Sequence, residues 1–160
     1  MNYIFLDIDG VLNNIKHYSK QHKKYGGRYI CEQIPFNPRS LKNLHKLIRK
    51  TKAKIVLTSS WRNYDTTMIV LNARLKEYGL KIFSVTPYLE GRRGKEIKSW
   101  CKSNISKNDS ILIIDDEIFD ILDYYQEKNI LKINPYYGLT FIKYLEAVNK
   151  FRKKEGNKNE

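Results

Sequence analysis

Two carboxylates, Asp7 and Asp9, close the apolar run Tyr3-Ile4-Phe5-Leu6 and are followed at once by Gly10. If that run is a strand, its side chains alternate between faces, so Asp7 and Asp9 project to one side while Ile8 faces the other. Gly10 lets the backbone turn sharply beside them. Two acids held together at the end of an apolar strand repel, and a hard, oxygen-liganded cation such as Mg²⁺ relieves the repulsion. The arrangement is a phosphoryl-transfer site in outline. An isolated Asp-x-Asp fits equally well a strand that runs into an acidic turn, so the chemistry depends on what else the chain brings to the same place.

Later apolar runs end in groups of matching chemistry. Thr58-Ser59-Ser60-Trp61-Arg62 follows Ile55-Val56-Leu57 and offers hydroxyls and a guanidinium suited to phosphate oxygens. Arg92-Arg93-Gly94-Lys95-Glu96-Ile97 puts cations at the start of a helical pattern, where like charge opposes the helix dipole and an anionic ligand would resolve the conflict. Asp115-Asp116 ends a further run and is a second acidic pair able to complete a metal site. Trp61 beside a strand end reads first as a packed residue and second as a base-stacking one. His17, His22 and His45 have no metal-like spacing, and Asp120 and Asp123 read as a solvated helix face.

The elements that must position these groups are strands alternating with helices. Apolar runs at Tyr3–Leu6, Lys54–Leu57, Lys81–Val85, Ser110–Ile114 and Ile130–Ile133 have the length of buried parallel strands. Asn37-Pro38 makes a cap and first turn for a helix with Leu41, Leu44, Leu47 and Ile48 on one face. Asp65 can cap the next, with Met68, Leu71, Leu75 and Tyr78 as its stripe and Gly79 as its stop. Further helices are expected around Ile97, Trp100 and Cys101, around Ile118, Ile121, Leu122 and Tyr125, and around Leu139, Ile142, Leu145 and Val148. Repeated β-α units imply an α/β fold, a Rossmann-like open parallel sheet of about five strands with helices on both faces, whose sites lie at the carboxyl ends of the strands.

At 160 residues and 41% hydrophobic content the chain fits one domain over 1–150, with a short basic insert at about 14–36. Residues 151–160 read as a frayed or disordered basic tail. No apolar stretch approaches a membrane span and the N-terminus lacks a signal-peptide pattern, so no membrane partner and a cytoplasmic, intracellular location are expected. Cys31 and Cys101 are too few for a disulfide framework or zinc site and read as reduced thiols. Net charge is +13, and it is concentrated. From Ile15 to Lys54 twelve Lys/Arg stand against Glu32 alone, the segment from Lys150 adds +3, and the remainder is close to neutral.

In their order, these groups resemble the haloacid dehalogenase-like (HAD) superfamily over nearly the whole chain. Asp7 and Asp9 match its first motif, Thr58 or Ser59 the second, Arg93 or Lys95 the third, and Asp115-Asp116 the fourth. The phrases Leu57-Thr58-Ser59-Ser60-Trp61-Arg62, Arg93-Gly94-Lys95-Glu96-Ile97 and Gly138-Leu139-Thr140 further look like the small HAD domains of the Swiss Army Knife RNA repair group. The resemblance implies a phosphatase in which Asp7 is the nucleophile that forms an aspartyl-phosphate and Asp9 protonates the leaving oxygen and later activates water. It implies Mg²⁺ bound by Asp7, the backbone carbonyl of Asp9 and an aspartate of the fourth motif. Thr58 is favoured over Ser59 because it follows the apolar run directly; Arg93 and Lys95 rank level, and Asp115 and Asp116 are unordered.

Members of this superfamily often carry a large cap domain, and the stretch from Asn14 to Phe36 is too short for one. A capless site is open, so specificity must come from the substrate itself, which favours a macromolecule or its terminus. The insert interleaves Lys16, Lys20, Lys23, Lys24 and Arg28 with Tyr18, Tyr25 and Tyr29, a mixture suited to phosphate contacts and base stacking. Substrate contacts are therefore expected from Ser59, Arg62, Lys16, Lys20, Lys23 and Lys24. The expectation is a Mg²⁺-dependent phosphomonoesterase acting on RNA or DNA ends. The alternatives are a small-molecule phosphatase or nucleotidase of the same fold, or a nucleic-acid-binding module without catalysis.

Overall fold

The computed structural model describes residues 1–26, 35–118 and 120–156. Five strands, β1 (Asn2–Leu6), β2 (Lys54–Leu57), β3 (Ile82–Val85), β4 (Ser110–Asp115) and β5 (Ile130–Lys132), form one sheet in the order β3-β2-β1-β4-β5, every pair parallel. They fall on the five apolar runs. The chain starts in the middle of the sheet, builds outward through β2 and β3, and returns past β1 to β4, so the strand order reverses beside β1. Such a reversal splits the loops at the carboxyl edge and opens a crevice there. The register Leu6↔Leu57 and Leu6↔Ile114 sets the ends of β1, β2 and β4 level, which brings the residues just after them to one place.

The described residues form five α-helices, α1 (Ile15–Lys24), α2 (Pro38–Thr51), α3 (Asp65–Lys76), α4 (Arg93–Asn104) and α5 (Phe141–Gly156), of which α2 to α5 pack on the sheet. Alternation along the strands divides the core in two. Ile4, Leu6, Ile55, Leu57, Leu112, Ile114 and Leu131 face Leu41, Leu44 and Leu47 of α2, Leu71 and Leu75 of α3, and Ala147, Val148 and Phe151 of α5. Tyr3, Phe5, Val56, Ile113 and Ile130 face Ile97 and Trp100 of α4 together with Ile121. Fully burying each such side chain is worth about 1.5–3 kcal/mol, so the two half-cores fix the strand ends firmly. No helix among the described residues is long and apolar enough to cross a membrane.

Asn37 caps α2 as expected, its Oδ1 accepting from the Arg39 N–H at 2.9 Å with Pro38 in the first turn. Two expectations are corrected. Asp65 does not cap α3; Tyr64 holds the cap position and Asp65 sits one residue inside, where its charge still meets the helix dipole. The helix expected around Ile118–Tyr125 is only a 3₁₀ turn, Asp120–Asp123, because Asp120 turns away to bond a neighbouring helix. The basic insert contains the helix α1, of which no residue is buried. α5 continues through Gly156 with Phe151 in the core, and residues 157–160 of the expected tail lie outside the described residues. Between β1 and α2 the described residues hold this one helix and no further domain; Arg28, Tyr29 and Cys31 lie outside the described residues.

Candidate active site

The loop after β1 is wound around a single carbonyl. Ile8 O accepts from the N–H groups of Val11, Leu12 and Asn13 at 3.2, 2.8 and 3.0 Å, and Gly10 N–H donates back to Asn13 O at 3.0 Å. Gly10 has φ +75°, and a Cβ there would lie 2.4 Å from Asp116 Oδ2, so only glycine lets the first acidic loop close against the second. β1 ends at Leu6, so strand alternation does not govern the two acids as expected. Asp7 is buried, and its N–H extends the ladder to Ile114 O at 3.0 Å. Asp9 is exposed and held from its flanks, accepting from Asn13 Nδ2 at 2.9 Å and from Trp61 Nε1 at 2.8 Å.

Asp7, Asp115 and Asp116 each bring a carboxylate oxygen within 4.8 Å of the others. Arg93 Nη1 lies 2.6 Å from Asp115 Oδ2 and 3.2 Å from Asp7 Oδ1, bridging two of the three. Asp115 Oδ1 also accepts from Glu117 N–H at 2.9 Å. Burial pushes Asp7 up to about 8, with Asp115, Asp116 and Asp9 acting in the same direction and Arg93 against them. Burial likewise raises Asp115 to about 6, against the pull of Arg93 and the Glu117 N–H, and raises Asp116. Burial disfavours the Arg93 charge, but Asp7 and Asp115 outweigh it and hold the guanidinium above its ordinary range. One arginine thus faces more carboxylate charge than it can neutralise. Hard oxygen donors in this density fit a small divalent cation, and the close approach at Gly10 leaves the Asp116 carboxylate room to join it.

The second motif is built at the end of β2, where Thr58 N–H donates to Leu6 O at 3.0 Å. The Thr58 hydroxyl is buried and has no hydrogen-bond partner among the described residues. An unpartnered buried hydroxyl is costly unless a ligand completes it. Ser59 is buried and starts the 3₁₀ turn Ser60–Asn63. Arg62, expected to contact substrate, holds this turn from behind. Its Nε donates to Thr86 O at 3.1 Å, Nη1 to Thr58 O and to Ser59 O (2.7 Å), and Nη2 pairs with Glu96 Oε2 at 2.6 Å. Four of the five N–H groups of the guanidinium are thereby used within the chain, which leaves a single Nη2 N–H for an incoming phosphate. Glu96 is itself buried and uses its other oxygen to accept from Leu89 N–H at 2.9 Å.

Of the two candidate cations at the start of α4, Arg93 reaches the carboxylates while the Lys95 side chain is exposed. The anion expected at this helix start is part of the chain itself. Asp120 Oδ2 accepts from Gly94 N–H at 2.8 Å and Lys95 N–H at 3.3 Å, so the half-buried Asp120 serves the first turn of α4 from outside the helix. Gly94 permits this approach, since a Cβ there would meet Asp120 O at 2.4 Å. Lys16, Lys20, Lys23 and Lys24 lie exposed on α1, whose cap Asn14 accepts from His17 N–H at 3.0 Å.

Sequence reasoning missed Asn13 and Trp61 as the donors that hold Asp9, and Glu96 as the partner of Arg62. Glu96 carried a signal: it shares the buried face of α4 with Ile97 and Trp100, an acid on an apolar stripe that needs a buried cation. The other two carried none, because neither type nor spacing says where an indole N–H will point.

No curated protein and no solved structure matches the chain. The family described as "HAD domain in Swiss Army Knife RNA repair proteins" matches residues 3–142, a span that runs from β1 into α5 and takes in every group of the site. The carboxylate cluster, the unpartnered threonine and the bridging arginine thus stand in the framework of that family, and the chain belongs to it.

Proposed function

We propose that this protein is a divalent-cation-dependent, Mg²⁺-using phosphomonoesterase that works through an aspartyl-phosphate on Asp7 and removes a terminal phosphate from RNA or DNA. HAD domains are phosphatase-type hydrolases at the superfamily level. The observation that carries the reading is the Asp7 carboxylate, buried between Arg93 and two further aspartates, with an unpartnered threonine hydroxyl at the end of the adjacent strand.

A phosphate monoester enters with its oxygens toward Arg93 and the Thr58 hydroxyl, both donors. Asp7 attacks phosphorus, the P–O bond to the leaving group breaks, and Asp9 supplies the proton that leaves with the alcohol. Asp9, now a carboxylate, takes a proton from water as that water attacks phosphorus, and the Asp7–phosphate bond breaks to release phosphate. Trp61 and Asn13 hold Asp9 in place through both steps. Asp7, Asp115 and Asp116 would hold a divalent cation, which would keep Asp7 ionised at neutral pH and offset its repulsion of the phosphate. The nucleic-acid part of the reading is supported by the exposed lysines of α1 beside an uncapped site, and by the RNA repair proteins named in the family's description.

The test is phosphate release from oligonucleotides carrying 3′ or 5′ phosphates, from nucleotides and from sugar phosphates, with and without chelator. The expected result is release from oligonucleotide ends that chelator or Asp7→Asn abolishes while the fold persists. Activity intact in Asp7→Asn or in chelator would overturn the aspartyl-phosphate mechanism. Turnover confined to nucleotides or sugar phosphates would overturn the nucleic-acid substrate.

A further inference from the structure

The turn that follows β5 carries two exposed tyrosines at the edge of the site. Tyr136 and Tyr137 are 46% and 54% exposed, and their rings meet edge to face at 5.0 Å and 87°. Large aromatic surface left in water is unfavourable, and a rigid pair of it beside a reaction centre is a ready contact surface. The turn is rigid. Asn134 O accepts from Tyr137 N–H and Gly138 N–H at 3.1 and 2.9 Å, and Asn134 Oδ1 accepts from Tyr136 N–H at 2.9 Å. Gly138 has φ +70°, and a Cβ there would lie 2.6 Å from Val11 O.

The turn is also tied to both acidic loops and to the basic helix. Leu139 N–H donates to Val11 O at 2.9 Å, in the loop that carries Asp9, and Ile133 N–H donates to Asp115 O at 2.8 Å. Ile15 N–H and Lys16 N–H donate to Pro135 O and Tyr136 O at 3.0 and 3.2 Å, so α1 begins on this turn. Lys16 Nζ lies 5.8 Å from the centre of the Tyr137 ring. The segment that leads from the site into α1 is basic: from Gly10 to Gly26 there are four lysines and no acid.

We propose that Tyr136, Tyr137 and Lys16 form a stacking platform for the unpaired base next to a terminal phosphate, holding that nucleotide while its phosphate sits at Asp7. The proposal rests on the nucleic-acid reading above. Every base has a π-face that an aromatic ring can meet, and Lys16 can leave the Tyr137 ring for the adjoining backbone phosphate. The strand end that stacks here is a single-stranded one, because an unpaired base can turn its face onto the rings while its phosphate sits at Asp7, whereas a paired base is held in place by its partner strand.

The experiment compares wild type with Tyr136→Ala/Tyr137→Ala, with Tyr136→Leu/Tyr137→Leu, which keeps bulk without π-surface, and with Tyr136→Phe/Tyr137→Phe, which keeps the rings. Binding of a fluorescein-labelled single-stranded phospho-oligonucleotide is read by anisotropy in an Asp7→Asn background. The ratio of kcat/KM for that oligonucleotide to kcat/KM for p-nitrophenyl phosphate is read in active protein. Stacking one base is worth about 5- to 150-fold, so the Ala and Leu variants should weaken binding and lower the ratio by at least about fivefold while Phe restores both. A blunt duplex bearing the same phosphate should bind equally to all four proteins. If the Leu variant binds like wild type, or if all variants lose the ratio on duplex and single strand alike, the platform is wrong though the nucleic-acid reading stands. If wild type itself neither binds nor hydrolyses any oligonucleotide, the nucleic-acid reading falls and the platform falls with it.

Discussion

Trp61 Nε1 and Asn13 Nδ2 grip the two oxygens of Asp9, which leaves that carboxylate exposed but oriented. Trp61→Phe keeps the edge-to-face packing on Phe36, at 5.3 Å and 70°, and removes only the donor. Hydrogen bonds to charged groups are worth about 1.5–3 kcal/mol, so turnover of an alkyl phosphate should fall roughly tenfold or more. An aryl phosphate, whose leaving group needs no proton, should fall less; equal losses on both substrates would show that Trp61 does not act through Asp9. At Asp7 the sign of the pH dependence can be worked out. Its folded carboxyl is raised from 3.8 to about 8 by burial, so between those values the folded protein holds a proton that the unfolded chain has released. Stability in chelator should therefore fall as pH rises from about 4 to about 8, with Asp115 adding a loss of the same sign up to about 6. Asp7→Asn should flatten most of that slope, and Mg²⁺ should reduce it in wild type. Thermal midpoints at pH 5, 6.5 and 8 check this, and a profile that rises with pH in chelator would refute it.

Among the elements, the buried pair Arg62–Glu96 joins the end of β2, the end of β3 and the first turn of α4 behind the phosphate side of the site. Removing one member leaves the other charged and buried, so Glu96→Ala should cost about 3–5 kcal/mol in urea unfolding. Arg62→Leu/Glu96→Leu should recover much of that stability, because no lone charge remains, while KM for phosphate esters stays raised because Thr58 and Ser59 have lost their brace. A double variant no more stable than Glu96→Ala would show that the pair is worth more than its desolvation. This brace also shows where sequence reading stops. The strands were legible because short apolar runs such as Ile55-Val56-Leu57 are buried on both faces and need no partner to be recognised. The carboxylates and Thr58 were legible because they follow those runs directly. The bracing contacts of Arg62 were not legible because a guanidinium suits phosphate oxygens and backbone carbonyls equally, and its buried partner Glu96 lies 34 positions away. Asp120 was misread for the same reason, its partners being the Gly94 and Lys95 amides. α1 was missed as a helix because it buries none of its residues, so no apolar stripe marks its period.

Over the whole molecule, charge is unevenly distributed along the chain. Twelve of the thirty Lys/Arg fall between Ile15 and Lys54 against one acid, while the acids that matter to the chemistry are gathered at the carboxyl edge of the sheet. α1 starts on the turn beside that edge, so its exposed Lys16, Lys20, Lys23 and Lys24 lie on the approach to a negatively charged centre that would otherwise repel a polyanion. If the substrate is a nucleic-acid end, each backbone phosphate that meets a lysine releases a condensed counterion, and kcat/KM should fall steeply with added salt, by roughly 0.7 log units per log unit of salt for each contact to a single strand. A small aryl phosphate makes no such contacts and should show a shallow dependence. Replacing the four lysines with Ala should lower the slope for the oligonucleotide and raise its KM at low salt, and the two salt plots should approach each other. At about 1 M salt, where the screening length shrinks to about 3 Å, wild type and variant should converge on the oligonucleotide. Parallel salt plots for the oligonucleotide in wild type and variant would show that α1 contributes nothing to the approach, and the positive field would then belong to a partner other than the substrate.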